Sequence, residues 1–288
     1  MAEDVKHDYH LVNPSPWPLL GAVAVTTLAI GGVTYMKGLF GIEHGQLWAL
    51  APGFLMVIWV MIGWWREVIK EGRTGDHTPV VEIGLKYGMV LFIVSEIMFF
   101  AAWFWSFFEF AIFFPARVGD TFDHLSPVWE GLNNFKEFPP VGVETFDPFH
   151  LPLMNTLILL LSGTTVTAAH HSLQHGKYDN AKLMLWITVI LGLAFTGLQV
   201  LEYSEAQFTF DGTIYGSAFF MATGFHGAHV VIGTIFLAIC LMRLYANNMT
   251  AEKHLGFEFA AWYWHFVDVV WLFLFAFVYV LPHLALGH

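Results

Sequence analysis

Residues 88–108 read GMVLFIVSEIMFFAAWFWSFF, and Glu96 is the one charged group among them. Phe92, Phe99, Phe100 and Trp103 surround that carboxylate at helical spacing. Roughly twenty apolar helical residues cross the hydrocarbon core of a bilayer. Whether Glu96 is an ordinary buried acid or a group set inside a membrane depends on the solvent the rest of the chain is built for.

Of 288 residues, 57% are hydrophobic and 12% are charged. Soluble domains carry roughly 25% charged residues, so half of the expected charge is missing. What charge exists is gathered between long apolar runs, the pattern of an all-α, polytopic membrane protein. The formal net charge of −11 comes with no basic patch or stripe, which excludes a nucleic-acid partner. The single cysteine, Cys240, stands in an apolar run and has no mate for an internal disulfide. The N-terminus, MAEDVKHDYHLVNPSPWP, lacks the basic start and small-residue cleavage site of a signal peptide, so the first apolar run is expected to be retained.

Seven segments read as membrane-spanning helices, near 17–37, 46–66, 80–114, 152–174, 181–203, 213–244 and 254–283. The third, sixth and seventh exceed a straight crossing and are expected to tilt or project. No internal repeat is visible, which speaks against an inverted-repeat transporter. With the N-terminus inside, the inner face holds Lys6, Arg66, Lys70, Arg73, Lys86, Lys177, Lys182, Arg243 and Lys253, and the outer face Lys37, Arg117 and Lys136. Nine against three sets the N-terminus inside and the C-terminus outside. The same topology makes 115–151 an outer loop with Asp120, Asp123, Glu130, Glu137, Glu144 and Asp147. Such a loop suits a basic partner, although a solvated acidic surface is the plainer reading.

An ionisable residue inside a span is a functional candidate by default, because charging it in hydrocarbon costs on the order of several kcal/mol. Glu96 is expected about 18–24 Å from the inner end of its helix, near mid-membrane. Glu109 points to nearly the opposite face of that helix, so the two carboxylates cannot act as a pair. Partners are sought on the sixth and seventh helices. TGFHGAHVVIG places His226 and His229 on one face, with Gly224, Gly227 and Ala228 permitting a close backbone approach. WYWHFVDVVW places His265 and Asp268 on one face. A Glu96 hydrogen bond to His229 or His226 is the expectation, and holding helices in register is its plainer purpose.

Histidine clusters also raise a metal question. AHHSLQH supplies His170, His171 and His175 at the inner end of the fourth helix, while His226 and His229 sit deep in the sixth. That split argues against one metal site, and no phosphate loop, nucleophile elbow or paired C-x-x-C occurs. On the inner rim, WWREVIKEGRTGDHTPVV is expected to join helices two and three. Aromatic rings beside basic residues at headgroup level suit an anionic phospholipid, and ordinary positive-inside anchoring explains them equally.

HDYHLVNPSPWPL (7–19), WWREVIKEG (64–72), HTPVVEIGLKYGMVLFIVSEIMFF (77–100), LMNTLILLLSGTTVTAAHHSL (153–173), YGSAFFMATGFHGAHVVIGT (215–234) and HLGFEFAAWYWHFVDVVWLFLF (254–275) together resemble subunit III of the haem–copper cytochrome c oxidases. The resemblance runs in order along nearly the whole chain, and matches the seven-helix form better than the five-helix quinol oxidase form. It implies a V of two arms, helices one and two (17–70) and helices three to seven (71–288), after a cytoplasmic segment 1–16. It further implies a non-catalytic subunit with no cofactor of its own, packed on subunit I, which reduces oxygen to water and pumps protons. Haem and copper belong to partner subunits, cytochrome c is the substrate of the complex, and subunit II and a small subunit IV complete it. Phospholipids are expected in the cleft of the V, with support for proton uptake and for active-site stability during turnover.

Residue by residue, Glu96 matches the family's mid-membrane glutamate, and His226 and His229 its glycine-flanked pair. Trp65, Lys70, Glu71, His77, Trp105 and Arg243 match positions associated with lipid headgroups or the cleft. His7 and His10 match N-terminal histidines near the proton-entry surface, where a side chain that titrates close to neutral pH suits proton collection. Lys70 and Lys86 depart from the family's common arginine, which removes bidentate phosphate contacts there. A bacterial cytoplasmic membrane is expected rather than the mitochondrial inner membrane. Two rivals stand beside this reading: a membrane di-iron enzyme built on the histidine clusters, and a proton-coupled transporter using Glu96.

Overall fold

Prolines open and glycines close the first helices. Helix α1, Trp17–Lys37, has proline in its first turn and ends at Gly38, whose φ is 72°. One 3-10 turn at Leu47–Leu50 leads into α2, Ala51–Thr74, again with proline at its start. It ends at Gly75, φ 91°, whose N–H donates to the Glu71 carbonyl. Proline loses nothing in a first turn, where the N–H has no helical partner, and glycine takes the left-handed conformation without a Cβ clash. The computed structural model describes residue 9 and residues 14–113, 138–140, 143–210 and 214–285.

The remaining long helices are α3, Pro79–Phe108 with a π-turned end at Glu109–Phe113, α4, Leu151–Gln174, α5, Tyr178–Glu205, and α6, Ile214–Tyr245. Helix α7 begins as Leu255–Leu274, widens into a π-turned stretch at Phe275–Val280 and finishes in an α-turn at Leu281–Ala285. Among the described residues, seven helices are long and apolar enough to cross a membrane. The chain is thus all-α and polytopic. One expected boundary moves: α2 continues to Thr74 instead of stopping near 66, leaving 75–78 as the connection to α3. Hydrophobicity stops at Arg66, but nothing breaks the backbone hydrogen bonding until Gly75.

The chain divides into two units, Met1–Tyr87 and Gly88–His288. In the first, α1 and α2 form a hairpin packed on small residues. A Cβ on Gly53 would lie 2.3 Å from the Leu28 backbone, so the two helices touch main chain to main chain there. Trp17 packs edge-on against Trp59, ring centres 5.6 Å apart, and its indole N–H donates to Glu67.

The second unit is built on the buried rings of α7. Trp264 and Trp271 are fully buried, and their indole N–H groups donate to Ser162 Oγ and Thr156 Oγ1 of α4, each at 2.8 Å. Gly192 of α5 and Gly233 of α6 seat the Trp264 ring, since a Cβ would come within 2.9 Å and 2.8 Å of it. Lipid supplies no hydrophobic push between helices, so close packing and such interhelical bonds hold them. Among the described residues of this chain, no neighbouring backbone comes close to Gly224 or Gly227. A Cβ on Gly227 would meet nothing within 4 Å, and one on Gly224 only the Tyr203 hydroxyl at 3.9 Å. Helix α3 joins the unit through rings: Phe92 on Tyr263, Phe99 on Phe225, Phe104 on Phe273 and Phe108 on Phe277. Three of these pairs follow α7 and fix α3's register against it, while Phe225 belongs to α6.

Candidate functional site

Glu96 lies 17 residues into α3, about 26 Å along its axis. His229 lies at the middle of α6. Its Nε2 stands 2.9 Å from Glu96 Oε2, and its Nδ1 stands 2.6 Å from the Phe225 carbonyl. A carbonyl only accepts, so Nδ1 carries a proton and donates. The bond to Glu96 therefore holds one further proton, on the carboxyl or on the imidazole, and the pair is neutral in either form.

Aromatic rings close the pair in. Phe100 meets the His229 ring at 4.9 Å, Phe99 at 6.0 Å and Tyr263 at 6.3 Å. The side chains of Glu96 and His229 retain only 22% and 13% exposure. Such a site can hold a proton and pin α3 to α6. Among the described residues it has no second carboxylate and no open nucleophile.

His226 does not join it. It turns toward α5 and α7, packs on Phe195 and Trp271, and its Nε2 donates to the Val267 carbonyl at 3.1 Å. Three residues on a helix turn through about 300°, which is enough to send the two rings to different neighbours. Near them, Thr167 donates its hydroxyl proton to the Gly163 carbonyl at 3.0 Å and accepts from His265 Nε2 at 3.1 Å. The other nitrogen of His265 faces Asp268 Oδ2 at 3.5 Å, with side-chain exposures of 46% and 8%.

Four further histidines pair near the end of α4. His171 meets His175 at 4.2 Å between ring centres, and His170 meets His254 at 5.2 Å. Among the described residues, no three His, Cys, Asp or Glu side chains converge as a metal ion requires. Cys240 is buried, with its thiol 3.7 Å from the Gly256 carbonyl.

The six residues expected to meet lipid fall into separate places. Trp65, Lys70, Glu71 and His77 gather over the last turns of α2 and the connection after it, in the first unit. The His77 ring lies against Gly72, and Trp65 is 54% exposed beside an apolar groove of about 430 Å³ between α1 and α2. In the second unit, Trp105 stacks near Phe113 at the far end of α3, and Arg243 crosses Gly256 at the last turn of α6. Trp103 packs on Phe225, so Trp105 is level with that part of α6, about 27 Å from Arg243 along the axis. These two cannot share one headgroup. His7 and His10 lie outside the described residues, as do Asp120, Asp123, Glu130 and Glu137 of the acidic loop.

Sequence reasoning passed over one buried acid. Glu202, in the last turn of α5, is fully buried with Gln199, Asn155 and Tyr279 around it. The signal was a Gln-x-x-Glu spacing on an apolar helix. It was hidden because helix-end carboxylates are so commonly solvated.

The family model for cytochrome c oxidase subunit III matches residues 7–282. Cytochrome c oxidase subunit 3 of Arabidopsis thaliana is 48% identical over 280 residues, 97% of this chain and 98% of the relative. That of Prototheca wickerhamii is 50% identical over 275 residues, 95% and 97% of the two chains. A probable cytochrome c oxidase subunit 3 of Rickettsia prowazekii is 49% identical over 278 residues, 96% and 95%. With the seven apolar helices and the ordered motifs, these matches establish that the chain belongs to the cytochrome c oxidase subunit III family.

Proposed function

We propose that the chain is a non-catalytic integral-membrane subunit of its oxidase, packed on subunit I and carrying phospholipid on its own helices. Membership of the family across residues 7–282 is the observation that carries this reading. In it the helices form the V of 17–70 and 71–288, with the segment 1–16 and the N-terminus inside and the C-terminus outside. Subunit II, a small subunit IV and cytochrome c complete the assembly, and haem and copper stay in the partner subunits. The proposed location is a bacterial cytoplasmic membrane.

His265 supports a protein partner. It is half exposed near the middle of an apolar helix, beside a carboxyl group, where lipid is a poor cover. A packed helix of another subunit covers such a group without exposing it to hydrocarbon. The groove beside Trp65 and the charged turn after it support a lipid site, with room for an acyl chain next to partners for a headgroup. Trp105 and Arg243 then serve two further lipids, one at each end of the second unit. His7 and His10 are assigned to proton collection for subunit I, and Glu96 with His229 to holding α3 in place around one shared proton.

Purification of the tagged chain from its native membrane tests the reading. The expected outcome is recovery with haem- and copper-bearing chains and stoichiometric phospholipid. Stoichiometric iron bound to this polypeptide alone, or purification without such partners together with substrate uptake in vesicles, overturns it.

A further inference from the structure

Where α5 ends, four polar side chains from three helices meet away from the surface. Asn155 comes from α4, Gln199 and Glu202 from α5, and Tyr279 from the π-turned stretch of α7. Asn155 and Glu202 have no exposed surface, and Tyr279 and Gln199 retain 1% and 4%. An aromatic lid closes over them. Phe146 and Phe219 pack on the Tyr279 ring at 6.3 Å and 5.3 Å, and Phe208 packs on both of them.

Counting donors and acceptors leaves a specific gap. The Tyr279 hydroxyl donates to Glu202 Oε1 at 2.5 Å, and Gln199 Nε2 donates to the same oxygen at 3.1 Å. Asn155 Nδ2 donates to Gln199 Oε1 at 3.4 Å. Glu202 Oε2 and Asn155 Oδ1 are buried and have no partner. Among the described residues no cationic side chain reaches the carboxyl.

A carboxylate with one bare oxygen in such surroundings loses on the order of several kcal/mol of solvation with nothing in return. A proton on Oε2 removes the charge and converts the bare acceptor into a donor. Asn155 Oδ1 still needs a donor. A single water molecule lying between them would satisfy both, because it accepts one hydrogen bond while donating another, and buried waters characteristically make two to four such bonds.

We propose that Glu202 stands here as a carboxylic acid and that one water molecule is bound between its Oε2–H and Asn155 Oδ1. The cluster is then a closed, uncharged hydration site that ties α4, α5 and α7 together. Tyr279 is its positioning residue, presented by a wider helical turn of the kind often found at functional sites.

A map of the intact oxidase complex at a resolution that shows ordered water tests the site. One isolated solvent peak within hydrogen-bonding distance of both Glu202 Oε2 and Asn155 Oδ1 is expected. No peak, or a peak ringed by oxygens at the roughly 2.0–2.6 Å of a hard cation, overturns the proposal. Infrared difference spectra between wild-type and Glu202→Gln complexes test the proton separately. Loss of a carboxylic-acid C=O band is expected, and loss of carboxylate bands in its place refutes the acid form. The glutamine amide mimics the acid's donor, so Glu202→Gln should keep one copy of this chain per complex. Failure of that variant to assemble also refutes the acid form.

Discussion

Glu96 is held by geometry that a change of one atom can read. Glutamine keeps a donor toward His229 Nε2, because Nδ1 is committed to the Phe225 carbonyl. Glu96→Gln is therefore expected to leave the chain as firmly attached in the complex as wild type. Glu96→Ala removes the bond and should lower the chain's unfolding free energy in detergent by about 1 kcal/mol, the scale of interhelical hydrogen bonds in membranes. Thermal or denaturant unfolding of both variants checks this, and a matching loss in Glu96→Gln would show that the carboxylate charge matters. Because the reading assigns oxygen reduction and pumping to subunit I, Glu96→Gln should also leave proton pumping mostly intact. Stoichiometry measurements on reconstituted complex check that outcome.

At the scale of the helix, glycines separate into those that seat a neighbour and those that do not. A Cβ on Gly192 would lie 2.7 Å from Thr234 Oγ1 and 2.9 Å from the Trp264 ring. Gly192→Ala should thus destabilise the purified chain by about 1–3 kcal/mol, the range for overpacking. Gly227→Ala meets open space and gains helix propensity, so its unfolding midpoint should equal or exceed the wild-type value. Equal losses at both positions would mean that α6 packs differently. Trp264→Phe both shrinks a fully buried ring and drops the bond to Ser162, and should lower the unfolding midpoint in the same assay.

Over the whole molecule, the scattered positions of the residues proposed to bind lipid predict additive behaviour. Trp105→Ala and Arg243→Ala affect positions about 27 Å apart along the bundle, beyond the reach of direct coupling. Each should release phospholipid from the complex, and the double variant should release the sum, measured by mass spectrometry of retained lipid. Trp65→Ala removes one wall of the groove between α1 and α2 and should release lipid and shorten the active life of the complex. Unchanged lipid content in all three variants would count against the lipid reading.

The seven helices were legible in the chain itself, because apolar runs of membrane-crossing length admit one backbone solution in hydrocarbon. Proline and glycine marked several of their ends for local reasons that need no neighbour. The Glu96–His pairing was legible as a shortlist, since two mid-membrane polar groups on different helices have few ways to avoid lipid. Choosing His229 over His226 required the actual rotation of α6 against α3, α5 and α7, which side-chain packing sets and periodicity does not. Glu202 was invisible for the same reason. A carboxylate near a helix end is ordinary in sequence, and only the meeting of α4, α5 and α7 beneath an aromatic lid makes it buried. Local chemistry thus determined where each helix runs, while contacts between residues distant in the chain decided which polar groups meet.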